Sequence, residues 1–275
     1  MQVIHELQDM TYLEWTKTRH SSGTAGSFLK AYENKRGIKY YYKLSSYDVV
    51  RGIVGHECVN EIIVDRLLNA MNIDHLSYDL IHAKISIRGE NCDTYLCRSR
   101  DFKKRGESKI ALDAFYEMEA LPQETPLSFA ARMGFADDVY RMLILDFIIL
   151  NRDRHGANIE VLKDRESRTY RLAPLFDHGV SLLFSCRNDS DFAAKNPADD
   201  SRVQCFFGST SSYENLKLIP SDKLICLPEF NEKLEKQLFV DLEDALSGIQ
   251  IKSLWNFIKT RAGIYEDFCN HRSRH

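Results

Sequence analysis

From Leu150 to Leu183 the chain sets two acids and an amide at the ends of apolar segments, and this is its most constraining stretch. The segment LNRDRHGANIEVL, Leu150 to Leu162, is followed by RLAPLFDHGVSLL, Arg171 to Leu183. Upstream, Val139, Met142, Leu143 and Phe147 recur at helical spacing, predicting a helix over 139–150 with Asp137 or Asp138 as its N-cap. The helix ends at a polar turn presenting Asp153, Arg154, His155 and Asn158. Two short apolar strands, 159–162 and 170–175, bracket the charged turn KDRES and deliver Asp177 just before Gly179.

The rest of the chain reads as strands first and helices later. IKYYYKL, Ile38 to Leu44, predicts one arm of a hairpin whose turn is Asn34 to Gly37. A helix is expected over 56–71. Its apolar stripe is Val59, Ile62, Ile63, Leu67 and Ala70, with Asp65, Arg66 and Asn69 opposite. Strands are expected over 82–87 and 94–99, joined by a turn at 88–93. Residues 186–212 are polar and broken and read as an irregular loop, while helices near 236–246 and 251–270 close the chain. An α+β class follows, as a bilobal architecture. A β-rich N-terminal lobe (1–100) meets an α-helical C-terminal lobe (101–275), and a cleft between them is a natural ligand site.

Composition narrows the function classes. The 275 residues are 44% hydrophobic and carry a net charge of −3, which excludes disorder and gives no bulk basic signal for nucleic acid. Direct nucleic-acid binding is therefore not expected. The nearly apolar run Met142 to Leu150 is broken by Asp146 and is far shorter than the roughly 20 residues of a membrane span. MQVIHELQDM lacks the basic and apolar regions of a secretory leader, so a cytoplasmic protein with no membrane association is expected. Seven scattered cysteines without a CxxC pair read as reduced and structural.

The chemistry concentrates in the opening segment. Asn158 and Asp177 are hard oxygen donors that suit Mg²⁺ shared with phosphate groups. Asp153 precedes Asn158 by five positions and faces the acceptor side, the division of labour in phosphoryl transfer. His155 and His178 lack the spacing of a metal-binding pair and read as hydrogen-bonding residues. Asp146, inside an apolar helix, is read either as a partner of the polar turn or as a surface acid.

At these residues the chain resembles the HipA family of bacterial serine/threonine kinases, whose catalytic segment carries a DRHxxN motif. The resemblance is specific over Tyr140 to Leu183 and weaker over Ser21 to Ser99. It implies ATP and Mg²⁺ as cofactors, Asp153 as catalytic aspartate, and Asn158 and Asp177 as metal ligands. The Gly-rich phosphate loop it implies falls on Ser22, Gly23, Thr24, Ala25, Gly26 and Ser27, where glycine lets backbone N–H groups approach phosphates. The ATP lysine falls on Lys43, with Lys39 as the alternative. Its acidic partner falls on Glu61, with Glu57 as the alternative, and the adenine hinge on Leu96, Cys97 and Arg98. The implied function is a kinase acting on a protein substrate; separately, the hydroxyls of Ser21, Ser22, Thr24 and Ser27 crowd the loop and make it an expected site of autophosphorylation. Membership of a toxin–antitoxin pair, with an antitoxin partner, comes with the resemblance. Family members are often longer, with an N-terminal subdomain for which no room is expected before Ser21. Phosphoinositide-type lipid kinases also carry DRHxxN followed by D-x-G, so a lipid acceptor stays open. So does a nucleotide-binding module, a pseudokinase that holds a partner without transfer.

Overall fold

The computed structural model describes residues 2–18 and 25–272. Its N-terminal part holds a six-stranded sheet that is antiparallel except at the first strand, which joins in parallel. The strands are β1 (Val3–Asp9), β2 (Thr16–Thr18), β3 (Ala25–Lys35) and β4 (Ile38–Leu44), then a small β5 (Tyr47–Asp48) and β6 (Gly52–Ile53) pair. After helix α1 (Glu57–Ala70) come β7 (Tyr78–Ile87) and β8 (Glu90–Arg100). The order in the large sheet is β1-β7-β8-β4-β3-β2.

Both long hairpins turn on an Arg-Gly pair with positive φ. These are Arg36 and Gly37 at 52° and 78°, and Arg88 and Gly89 at 54° and 86°. Two left-handed central residues match the twist of the flanking strands, and glycine takes the second position without a Cβ penalty. The second turn is therefore much tighter than the expected 88–93, and β7 and β8 each run longer than the alternation suggested. One side of the sheet closes over Met10, Leu13, Tyr42, Leu44, Ile81 and Leu96. The other packs on α1 and joins the main core. That helix is buried on the side opposite its apolar stripe as well. Asp65 accepts the Tyr78 backbone N–H at 2.7 Å, and the Arg66 guanidinium donates to the carbonyls of Leu238 and Val240 at 2.8 and 2.7 Å.

The C-terminal part begins with β9 (Glu107–Ala111), α2 (Leu112–Glu119) and α3 (Pro126–Arg132). It continues with α4 (Ala136–Ile149), β10 (Asp153–Arg154), β11 (Glu160–Asp164) and β12 (Tyr170–Leu172). The chain then runs through α5 (Asp189–Ala193), β13 (Gln204–Cys205), α6 (Ser212–Leu216), α7 (Glu232–Phe239) and α8 (Gly248–Arg272). Strand β11 lies between β12 and β9, and β10 pairs in parallel with β13. The central helix α4 is buried from Val139 onward except at Tyr140 and Arg141. Phe135 occupies its N-cap, and Asp137 and Asp138 sit in the first turn, where carboxylates favour the positive end of the helix dipole. Leu150 at φ 49° ends it. Arg261 of α8 is fully buried and donates to the Phe147 carbonyl at 2.7 Å and the Ser212 hydroxyl at 2.8 Å, locking α8 to the end of α4.

Two further sequence expectations are corrected. Helix α7 starts at Glu232 because Asn231 caps it through the N–H groups of Lys233 and Leu234, and it ends before the expected 246. The 186–212 stretch contains α5 and β13. Helices α2 and α3 occupy a region that the periodicity left unassigned.

Candidate active site

The site is organised around a buried lysine. Lys43, near the end of β4, is 8% exposed, and its ammonium donates to Glu61 Oε1 at 2.8 Å and to Asp177 Oδ1. Burial alone would lower its pKa, but the charges of Asp177 and Glu61 outweigh that and hold it well above the ordinary value. The second oxygen of Glu61 accepts the His178 backbone N–H at 2.9 Å, so this carboxylate ties β4 to the Asp177 loop. Beside it, the Asn60 amide donates to the carbonyls of Gly179 and Ser181 at 3.1 and 3.0 Å. Helix α1 thus grips that loop at two successive residues.

The alternatives have other partners. The Lys39 ammonium lies over the rings of Tyr32 and Tyr41, at 4.5 and 4.8 Å from their centroids. Glu57 accepts the backbone N–H of Ser46 at 3.0 Å together with the Ser46 hydroxyl. Lys43 and Glu61 are the pair brought together.

Asp177 is held at φ 61°, and its backbone N–H reaches the Tyr78 hydroxyl at 3.3 Å. Lys30 lies 3.7 Å from its other carboxylate oxygen. The hairpin register pairs Lys30 with Lys43, so a second cation reaches the same acid from the neighbouring strand. No motif marks Lys30, yet the Arg36-Gly37 turn and simple counting along the hairpin give that pairing.

The Asp153 turn is braced from beneath. Arg154, part of the polar turn in the sequence, is 1% exposed. Its guanidinium makes a two-pronged contact with Asp146, at 2.8 and 2.9 Å, and donates to the Phe176 carbonyl at 3.2 Å. Asp146 more than offsets the burial that would lower the Arg154 pKa. Asp146 also accepts from the Asn151 amide at 2.9 Å, and Asn151 accepts the Asp153 backbone N–H at 3.2 Å. A buried acid of α4 therefore sets the geometry of the turn, which settles the two readings of Asp146. Backbone bonds join this turn to the Asp177 loop, from Arg152 N–H to the Val180 carbonyl at 2.9 Å and from Leu182 N–H to the Ile149 carbonyl at 2.6 Å.

Asn158 is buried, and its amide nitrogen donates to the carbonyl and the Oδ2 of Asp153 at 2.8 and 3.0 Å. This turns the amide oxygen, the end that suits a hard cation, away from Asp153. The amide oxygen and the Asp177 carboxylate are each of the donor type that suits Mg²⁺ sharing its shell with phosphate and water. Among the described residues, no three His, Cys, Asp or Glu side chains converge on a common point. His155 lies 3.3 Å from Asp153 Oδ1. Burial holds His178 well below the usual histidine range and hence neutral, with the nearby Arg154 charge adding to the effect.

A cavity of about 430 Å³ adjoins Lys43 and Asp177. Its walls include Tyr41, Leu76, Cys97, Phe102 and Phe176, the last two stacked at 5.8 Å. Of the expected hinge, only Cys97 lines it. Leu96 faces the opposite side of the sheet in the small core, and Arg98 pairs with Asp79 at 2.7 Å. The rim continues instead through Ser99, Asp101, Phe102 and Lys103, because β8 runs to Arg100 and the chain leaves the sheet later than expected. Of the phosphate-loop residues, Ser22, Gly23 and Thr24 lie outside the described residues, as does the neighbouring Ser21. Ala25, Gly26 and Ser27 open β3, with their side chains also outside the description. Phe28, the next residue, stands with its ring centroid 4.9 Å from the Lys43 ammonium.

A sheet lysine paired to a glutamate of the first helix, facing an aspartate loop beside a DRHxxN turn, defines a kinase-like α+β protein. The expected fold class is the one found. Among solved structures the chain is similar to the crystal structure of the proinflammatory kinase CtkA from Helicobacter pylori. That match has a TM-score of 0.63 and 16% identity and covers 97% of each chain. It is also similar, at a TM-score of 0.48 and 14% identity, to the toxin–antitoxin complex of HipA, HipB and operator DNA from Shewanella oneidensis MR-1. That match covers 95% of this chain and 67% of the other. At 16% identity the likeness to CtkA shows the fold alone. No protein-family model matches. A curated sequence, triacylglycerol lipase 2 of Arabidopsis thaliana, is 27% identical over 158 residues. The match takes in 55% of this chain and about a third, 35%, of the relative's length. The G-x-S-x-G nucleophile motif of such hydrolases does not occur in the sequence.

Proposed function

We propose that the protein is an ATP- and Mg²⁺-dependent kinase that transfers the γ-phosphoryl group to a serine or threonine hydroxyl of a protein. The observation that carries this reading is the Lys43 ammonium held between Glu61 and Asp177 at the edge of the 430 Å³ cavity. A permanently charged, prepositioned lysine suits the α- and β-phosphates of a nucleotide whose base lies between Cys97 and the Phe102–Phe176 pair. Asn158 and Asp177 would hold Mg²⁺, which when bound supplies positive charge to the phosphate oxygens.

Asp153 carries the acceptor chemistry. Its carboxylate orients the attacking hydroxyl and takes up the proton as the new oxygen–phosphorus bond forms and the bond to the leaving nucleoside diphosphate breaks. Little covalent work falls to the protein, so alignment and electrostatics dominate. The short route from Asp146 through Arg154 and Asn151 to the Asp153 turn is what keeps that carboxylate in place.

Thermal unfolding with and without Mg²⁺-ATP tests the nucleotide half of this reading. Saturation near 100 times Kd is expected to stabilise the wild type by about 2.7 kcal/mol. Asp177→Asn is expected to lose most of the Mg²⁺-dependent part, whereas Asp153→Asn keeps it. A wild-type protein whose unfolding ignores Mg²⁺-ATP contradicts the proposal.

A further inference from the structure

A second hollow, of about 850 Å³, is lined by Asp153, which the nucleotide cavity does not include. One wall is the catalytic turn, another the 180–184 loop, and the third the segment 202–210. That last segment is stitched to the turn by backbone bonds from Gln204 N–H to the Arg152 carbonyl at 3.2 Å and from Phe206 N–H to the Arg154 carbonyl at 2.9 Å. The hollow is therefore a fixed extension of the Asp153 turn.

Its charge is one-sided. Among the described residues Asp153 is the sole carboxylate of the lining, against the guanidinium groups of Arg152 and Arg202. Arg152 is anchored through its Nε to the Arg202 carbonyl at 2.8 Å, with its guanidinium 5.7 Å from the Phe184 ring centroid. Arg202 is exposed and makes no ion pair among the described residues. Guanidinium groups bind carboxylates through two parallel hydrogen bonds, and placed beside Asp153 they select what flanks the acceptor hydroxyl. The remaining lining includes Val180, Phe184 and Phe206, an apolar surface suited to neighbouring side chains of a peptide and of no use to a phosphorylated polyol.

We infer that the acceptor is a protein segment whose serine or threonine is flanked by acidic side chains, bound by Arg152 and Arg202 while its hydroxyl meets Asp153. This rests on the kinase reading and names the substrate class of that same site. The test compares phosphorylation of one serine peptide in three forms, flanked by Glu, by Gln or by Lys, and of vesicles carrying phosphoinositide lipids. Mg²⁺-ATP thermal stabilisation is measured alongside. Wild type is expected to favour the Glu-flanked peptide over the Gln form by on the order of tenfold, mostly in KM, because each exposed ion pair contributes a few-fold. Raised salt should shrink that preference. Arg202→Glu is expected to abolish or invert it and Arg202→Gln to weaken it, with the Mg²⁺-ATP stabilisation retained in both. Equal use of the Glu and Gln forms, transfer to none of the peptides, transfer to the vesicles instead, or an Arg202→Glu variant that keeps the preference overturns the inference. Retained nucleotide stabilisation with any of those results removes the acceptor assignment alone, whereas its absence in wild type removes the kinase reading.

Discussion

Asp146 and Arg154 illustrate how single residues carry this site. Both are largely buried, and the guanidinium is satisfied by the acid and by the Phe176 carbonyl. Removing one member of such a pair leaves the other charge uncompensated in a low-dielectric setting, at a cost of about 3–5 kcal/mol. Asp146→Ala should lower stability by that order, measured by urea unfolding, and should depress phosphate transfer because Asn151 and the Asp153 turn lose their brace. Asp146→Asn keeps hydrogen-bonding capacity and should fall between. An Asp146→Ala protein within about 0.5 kcal/mol of wild type, the usual range for a surface change, would show that the pair is not structural. In the sequence Asp146 was visible as an acid within an apolar helix, but nothing in its spacing chose between a buried brace and a surface charge. Only the fold brings Arg154 beneath the turn to meet it.

At the scale of elements, α1 is the part that couples the sheet to the Asp177 loop. Asn60→Ala would strip the hydrogen bonds to the Gly179 and Ser181 carbonyls, and leaving such buried acceptors unsatisfied costs about 1–3 kcal/mol. Faster amide hydrogen exchange confined to the 177–182 loop is the expected signature, and unchanged exchange there would sink the coupling role. The helix itself was legible from its apolar stripe, as were α4, the β3–β4 hairpin and the DRHxxN turn, because each follows from local periodicity or turn chemistry. The depth to which Asp65 and Arg66 are buried was not legible, since their partners lie on β7 and at the end of α7. The rim of the 430 Å³ cavity departs from the expected Leu96 to Arg98 segment for a related reason. Alternation locates a strand but not its last residue, and β8 runs on to Arg100.

Across the whole molecule, His56 links the head of α1 to the helical part. Its ring packs 5.1 Å from that of Phe192, and burial pushes its pKa down to about 4 from an ordinary 6.5. The unfolded chain therefore binds a proton at His56 that the folded protein refuses. Its contribution to stability is complete above pH 6.5 and is lost as pH falls toward about 4, amounting to as much as about 3 kcal/mol. His178, buried and neutral, acts in the same direction. The unfolding midpoint should fall as pH drops through this window, and His56→Gln should flatten the slope. A wild-type midpoint that stays level across the window contradicts the assignment.

The central claim is that this chain transfers phosphate through Asp153. Intact mass of wild type and Asp153→Ala after incubation with Mg²⁺-ATP and an acceptor peptide tests it most directly. The account predicts phosphate on the peptide or on the protein itself with wild type, and a rate lower by roughly 10²–10⁴ with Asp153→Ala. Equal phosphate gain with both proteins, or none with wild type, would contradict it.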